Sequence, residues 1–341
     1  MLKKYPYNMG KVLATVCLIF GTIFGAGFSS GNEIVVFFSR FGKPSYLYIF
    51  LSSLMIFFVV YFFLRKGKSL TNRIEHSRVL NLMVLGISVV FAASMYAGIE
   101  GLLMYLPNFL HLFFTIIMFV FCLVVTIRGL GGLEKANIIL VPVLSVLFLI
   151  VLVFASKSQS MFATSSKFGF LGILYSPLYV ALNTCMSVFV LAKMGVLLSK
   201  KQAFLSSLFS AGLVFFFLIL GNFVLIKNPE SFVSEMPFLY LVGKKFWCFL
   251  LEFFVILVGC FTTLISLCFT LKNSFMKIVK NDILSIFASV FLPYIIGFLG
   301  FSEIISFLYP ICSVFGVFIV LFSVFSFKQT NKIIHSKSEH T

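Results

Sequence analysis

From Pro44 to Leu64 the chain runs without one charged residue. A helix rises about 1.5 Å per residue, so roughly 20 such residues cross the ~30 Å hydrocarbon core of a bilayer. Apolar segments of this kind recur along the chain. Backbone in lipid must satisfy its own hydrogen bonds, which leaves helices as the available structure. Ten segments can be placed: Met9–Arg40, Pro44–Leu64, Leu80–Tyr105, His111–Ile127, Glu134–Ala155, Phe168–Lys193, Ala203–Ile226, Lys244–Leu271, Ile283–Gly300 and Phe301–Phe327. With 61% of residues hydrophobic and 11% charged, little of the chain is left for a water-soluble domain. The expected fold is an all-α integral membrane protein, one transmembrane domain over residues 1–341 with about ten helices and a short polar tail, 328–341.

The net charge of +16 does not call for a nucleic-acid partner. The basic residues sit between the apolar segments, as in the run Arg65–Arg78. If the N-terminus is cytoplasmic, the loops on that side hold most of the 26 Lys and Arg, as the positive-inside rule requires. Both termini are therefore expected in the cytoplasm. The N-terminus is basic and then apolar, like a signal peptide, but its apolar run is too long and no small-residue cleavage site ends it. Ten spans divide at the polar loop Ser156–Lys167 into halves of about 9–155 and 168–327. Five spans per half is an odd number, so the second half starts on the opposite side. That is the arithmetic of an inverted repeat, with spans one and six as partners at the membrane midplane.

Span one is not an ordinary membrane helix. Gly21, Gly25, Gly27 and Gly31 remove four side chains in G-T-I-F-G-A-G-F-S-S-G-N-E. Each interior Gly costs a helix about 0.5–1 kcal/mol relative to Ala. Ser29, Ser30, Asn32 and Glu33 then put polar groups where lipid-facing residues would stand. One reading is a helix broken near Gly25–Gly27, whose freed backbone groups hold a small ligand and an ion; irregular backbone at membrane depth needs protein or water around it. The other is close helix packing, because Gly21/Gly25 and Gly27/Gly31 each satisfy G-x-x-x-G. The carboxylate of Glu33 favours the site, since a packing face does not need one.

Polar residues inside the other spans are the remaining candidates. Span six carries Ser176-Pro177 and Asn183; the proline frees a carbonyl and is the expected break. Glu33 is either a coupling group or a solvated residue near the outer mouth, paired with Arg40 or Lys43. Glu100 is a second gating candidate. Tyr96 either faces a cavity or packs between helices. Glu252 and Glu303, closer to span ends, are expected in solvent. In span eight, Gly259, Thr262 and Thr263 can offer a carbonyl and two hydroxyls to a small hard cation, although such hydroxyls usually bond back to their own helix. The seven cysteines form no C-x-x-C pair and read as apolar fillers, and the four histidines lack metal-ligand spacing. There is no G-x-S-x-G, H-E-x-x-H or P-loop, so no enzyme is expected.

The run G-T-I-F-G-A-G-F-S-S-G-N-E-I, followed by F-F-S-R-F-G-K, resembles the opening of the YkvI-type bacterial membrane proteins. More distantly it is similar to the LeuT-like amino acid–polyamine–cation transporters, with Y-V-A-L-N in span six and F-T-T in span eight as further anchors. The resemblance implies a LeuT-like 5+5 inverted repeat with broken helices one and six, in a bacterial cytoplasmic membrane. It implies that Gly25, Ala26 and Gly27 form the unwound segment, with the Ala26 and Gly27 amides meeting a substrate carboxylate. Tyr96 and Asn183 would add side-chain hydrogen bonds. The carbonyls of Gly21 and Phe24, with Gly259, Thr262 and Thr263, match a sodium site. Phe28 stands where some relatives offer an amide to a second sodium, which puts that second site in doubt. Proton-coupled relatives carry a lysine inside span five; here Lys135 lies at its edge, which favours sodium. The function so implied is sodium-coupled transport of a small organic solute, such as an amino acid, by alternating access. The competing function is a ligand sensor of the same fold, like the membrane subunit of germinant receptors.

Overall fold

The computed structural model describes residues 9–157, apart from 68, 70, 73–76 and 105, and residues 170–322, apart from 244, 305–307 and 310. The tail 328–341, most of the loop 156–167, and parts of the basic run after span two lie outside them. All elements among the described residues are helical. In chain order they are α1 Met9–Ile23, α2 Ala26–Ser29, α3 Asn32–Phe37, α4 Ser45–Arg65, α5 Arg78–Leu103, α6 Asn108–Ala155, α7 Phe170–Met186, α8 Val188–Leu197, α9 Lys200–Ile226, α10 Pro237–Val242, α11 Phe246–Val279 and α12 Asp282–Gly297, followed by the short turn Phe301–Glu303 and a helix Ile311–Phe322.

Five of these are long and apolar enough to cross a bilayer, and six if α7 and α8 form one bent span. Three more, Met9–Ile23, Asp282–Gly297 and Ile311–Phe322, are apolar but shorter. Spans four and five are joined in the single element α6, interrupted where Gly129 adopts φ 62°, ψ −147°. A side chain would be strained in that backbone, so the glycine permits the turn.

Burial is sorted as lipid requires. Large apolar side chains are exposed along the helices, as at Phe58, Ile116, Val146 and Phe291, whereas many Ser, Thr and Asn and two Glu side chains are sealed inside. Nothing drives apolar groups away from lipid, so the interior is where polar groups find partners. All seven cysteines are buried free thiols. α1 occupies the middle, against α6, α9 and α11, while α2 packs on α5 and α11. On one side of it Phe20, Phe24 and Phe28 form a ladder with Phe148 and Phe217, with Phe24 and Phe28 centroids 4.6 Å apart.

The second interruption is not at the expected place. Pro177 lies within α7, and Ser176 Oγ donates to the Tyr48 carbonyl at 3.1 Å. The chain bends instead by 65° at Ser187. There the serine hydroxyl is shared between the carbonyls of Asn183 and Thr184, at 3.3 and 3.2 Å. A side chain that bonds to the preceding turn weakens the helix ladder, and a nearby proline is not needed.

Candidate functional site

The break in span one follows from where its backbone hydrogen bonds go. Gly25 N–H donates to the Ile23 carbonyl at 2.9 Å, and Ala26 N–H donates to Met95 Sδ at 3.3 Å. In a continuous helix these two groups would serve the carbonyls of Gly21 and Thr22. Those carbonyls are met instead by one hydroxyl from α11: Thr263 Oγ1 lies 3.0 Å from Gly21 O and 3.2 Å from Thr22 O. The chain re-forms a turn at α2, then reverses through Gly31 at φ 87° into α3.

The break and the close packing occur together. A methyl on Gly25 would press on Met95 and on Thr263 Oγ1, at 3.1 and 3.2 Å. One on Gly259 would lie 3.1 Å from the Phe24 carbonyl and 3.2 Å from Ser29 Oγ. Close approach of backbones is therefore what lets α11 reach the broken turn. The neutral oxygens of Gly21, Thr22, Phe24, Ser29 and Thr263 are gathered around this contact, from two helices. Oxygen donors of this kind suit a hard cation.

The two threonines differ. Thr262 Oγ1 donates to Gly259 O in its own helix at 2.9 Å, the usual fate of a hydroxyl in a membrane helix. Only Thr263 reaches α1. A second tie runs from Thr22 Oγ1 to Ser266 Oγ at 2.8 Å.

Glu33 is 1% exposed and is not paired with Arg40 or Lys43. Arg40 lies over the ring of Tyr175, 4.3 Å from its centroid. The Glu33 side chain folds back over the break: a methyl on Gly27 would be 2.5 Å from its Cγ and 2.6 Å from Oε1. Its Oε2 has no hydrogen-bond partner.

Tyr96 is not on the break; its neighbour Met95 is. The Tyr96 ring stacks on Phe119 at 5.6 Å and meets Tyr294 edge-on at 5.5 Å, with its hydroxyl unpartnered. It lines a cavity of about 330 Å³ with Glu100, Glu235 and Glu303. Glu100 accepts from His111 Nε2 or donates to it across 2.6 Å, depending on which group carries the proton. Asn183, fully buried, donates to the Tyr179 carbonyl at 3.1 Å, and its Oδ1 has no partner. It sits one turn before the bend at Ser187. Glu303 is exposed as expected, but Glu252 is completely buried with both oxygens unpartnered: being near a span end does not expose it, because α10 and other helices pack on α11.

Two residues escaped the sequence reading. Asn137, in the second arm of α6, has its Oδ1 against the Gly21 α-carbon and otherwise unpartnered. A lone Asn in an apolar run was the available signal. Met95 carried none, since a thioether is normally core filler.

Interior polar groups, a lipid-facing apolar exterior and several spanning helices define a multi-pass, all-α membrane protein with an interrupted first helix. No protein-family model matches the chain. Over 312 residues it is 22% identical to the uncharacterized membrane protein YkvI of Bacillus subtilis (strain 168), covering 85% of this chain and 89% of that one. The likeness runs through nearly the whole of both chains and suggests a YkvI-like membrane protein.

Proposed function

We propose that the chain is a secondary transporter, moving a small organic solute such as an amino acid with sodium by alternating access. The observation that carries this is the pairing of Thr263 with the freed carbonyls of Gly21 and Thr22. A cation there would tie α11 to the broken helix, and its binding would bias which side of the protein is open. Asn183 at the second bend and Tyr96 in the cavity are the solute contacts in this reading, with Gly25, Ala26 and Gly27 as the backbone between them. In this reading Phe24 and Gly259 complete the sodium site, the Thr262 hydroxyl being turned to its own helix, and Glu100 gates the cavity. No chemical step is assigned to the chain.

The span count belongs to the same proposal. If the two arms of α6 are separate spans, α1–α3 and α7–α8 are broken spans, and the Phe301–Phe322 region is one more, ten result. A LeuT-like 5+5 repeat accommodates them, with both termini on the cytoplasmic side of a bacterial plasma membrane.

The test is thermal stability of the purified protein in Na⁺ against K⁺ at equal ionic strength, then with an amino acid panel. A ligand at 100 times its Kd stabilises by about 2.7 kcal/mol. A Na⁺-specific shift that enhances a solute shift, with sodium-driven uptake in liposomes, supports the proposal. A solute shift without uptake assigns a sensor, and no response to either removes the reading.

A further inference from the structure

We propose that the Glu33 carboxylate is the receptor for a positively charged amino group on the transported solute. The inference rests on the transport reading and names the chemistry of its cargo.

Glu33 has the right place. Its Cγ and Oε1 lie over the α-carbon of Gly27, in the middle of the broken segment. It also has the right deficit. Oε2 is buried without a hydrogen bond, and among the described residues Glu33 makes no ion pair. A buried carboxylate without a partner is costly, and a cationic partner offsets that cost. Among the described residues none is supplied, and an ammonium group on the solute would fill the place.

The surroundings suit an ammonium group. The hydroxyls of Tyr179 and Tyr309 lie within electrostatic reach of Glu33. Tyr309 is engaged with Ser94 Oγ at 2.7 Å, whereas the Tyr179 hydroxyl is unpartnered. Rings of Phe37 and Phe38 stand edge-on to Tyr179 at 5.4 and 4.9 Å. Aromatic faces beside a carboxylate favour organic cations. Of the two amides that an anionic group would meet, Ala26 N–H is already directed at Met95 Sδ.

The approach to the site carries the same sign. The chain has a net charge of +16 and only 10 acidic residues, yet Glu100, Glu235 and Glu303 all line the 330 Å³ cavity. A cleft lined by one sign of charge concentrates the opposite ion. The cavity ends against Phe301, whose ring faces the Gly98 α-carbon; Ala26 Cβ abuts the same glycine. Gly98 thus joins the side of the acidic cavity at Phe301 to the start of α2 at Ala26.

The test is a binding panel on the purified full-length protein in Na⁺: amino acids, their N-acetylated counterparts, and primary alkylamines. Compounds with a free ammonium should shift the thermal transition, N-acetylated ones should not, and Glu33→Gln should weaken the binding at least tenfold. The Na⁺ shift should persist in Glu33→Gln, which shows that the variant is folded. Equal binding of free and N-acetylated compounds to the wild type overturns the inference without reference to any variant, as does wild-type affinity in Glu33→Gln. A Na⁺ shift with no ammonium response overturns it while the sodium site stands. Loss of both responses in the wild type removes the transport reading and this inference with it.

Discussion

The Thr263 hydroxyl lies 3.0 Å from the carbonyl oxygen of Gly21, across 242 residues of sequence, and binds α11 to the last turn of α1. The same oxygen is 3.2 Å from the Thr22 carbonyl, so one side chain answers two carbonyls that the helix has released.

Thr263→Val keeps the volume and removes the hydroxyl. It should abolish the Na⁺-specific stabilisation, about 2.7 kcal/mol at 100 times Kd, and cost about 1 kcal/mol without sodium. Thr262→Val should have the smaller effect on both, because the Thr262 hydroxyl serves only its own helix. Melting of both variants in Na⁺ and K⁺ decides the matter; equal losses would mean that the hydroxyl's direction is irrelevant.

Gly27→Ala drives a methyl into Glu33 Cγ and Oε1. The colliding atoms belong to a side chain that can turn away, so destabilisation should fall at about 1–3 kcal/mol. Combined with Glu33→Ala, the cost should shrink, giving a coupling energy of about 0.5–3 kcal/mol in a double-mutant cycle. Additive effects would show that the two positions do not touch.

Gly195 and Gly86 form a matched pair. A methyl on Gly195 meets the backbone of Leu64, which cannot rotate out of the way, whereas nothing lies within 4 Å of one on Gly86. Gly195→Ala should lose about 3 kcal/mol and pull α4 from α8. Gly86→Ala should be neutral or gain about 0.5–1 kcal/mol through helix propensity. Thermal melting in detergent compares the two directly.

Asn222 bridges two serines at the start of α4. Ser39 Oγ donates to its Oδ1, and its Nδ2 donates to Ser45 Oγ, both at 2.8 Å and fully buried. Asn222→Ala orphans the Ser39 hydroxyl, while Ser45 Oγ keeps its bond to the Gly42 carbonyl at 2.6 Å, and should cost about 1–3 kcal/mol. Hydrogen exchange in the 39–45 segment should rise before that of α9 itself.

How much was legible in the sequence depended on whether the signal was local. The break at Gly25–Gly27 was legible, because four glycines in one apolar run weaken a helix wherever it packs. The limits of α4 and α9 were legible from charge and hydropathy, with Ser199 and Gln202 capping α9 reciprocally. The bend in span six was not: proline was the stronger local signal, yet Ser187 is where tertiary packing bends the chain.

The sequence by itself determined that this is a helical membrane protein, because runs of apolar residues have no other stable form in lipid. It also determined where the first helix is weak. Only the tertiary structure decided that Thr263 rather than Thr262 meets α1, that Met95 rather than Tyr96 touches Ala26, and that Glu33 turns inward over Gly27 while Glu252 is sealed inside α11. The physical reason is that lipid and protein interior are almost equally apolar. Hydropathy then cannot say which side of a helix faces its neighbours, and adjacent residues lie about 100° apart around the axis. Which of them reaches a partner is settled when the helices pack.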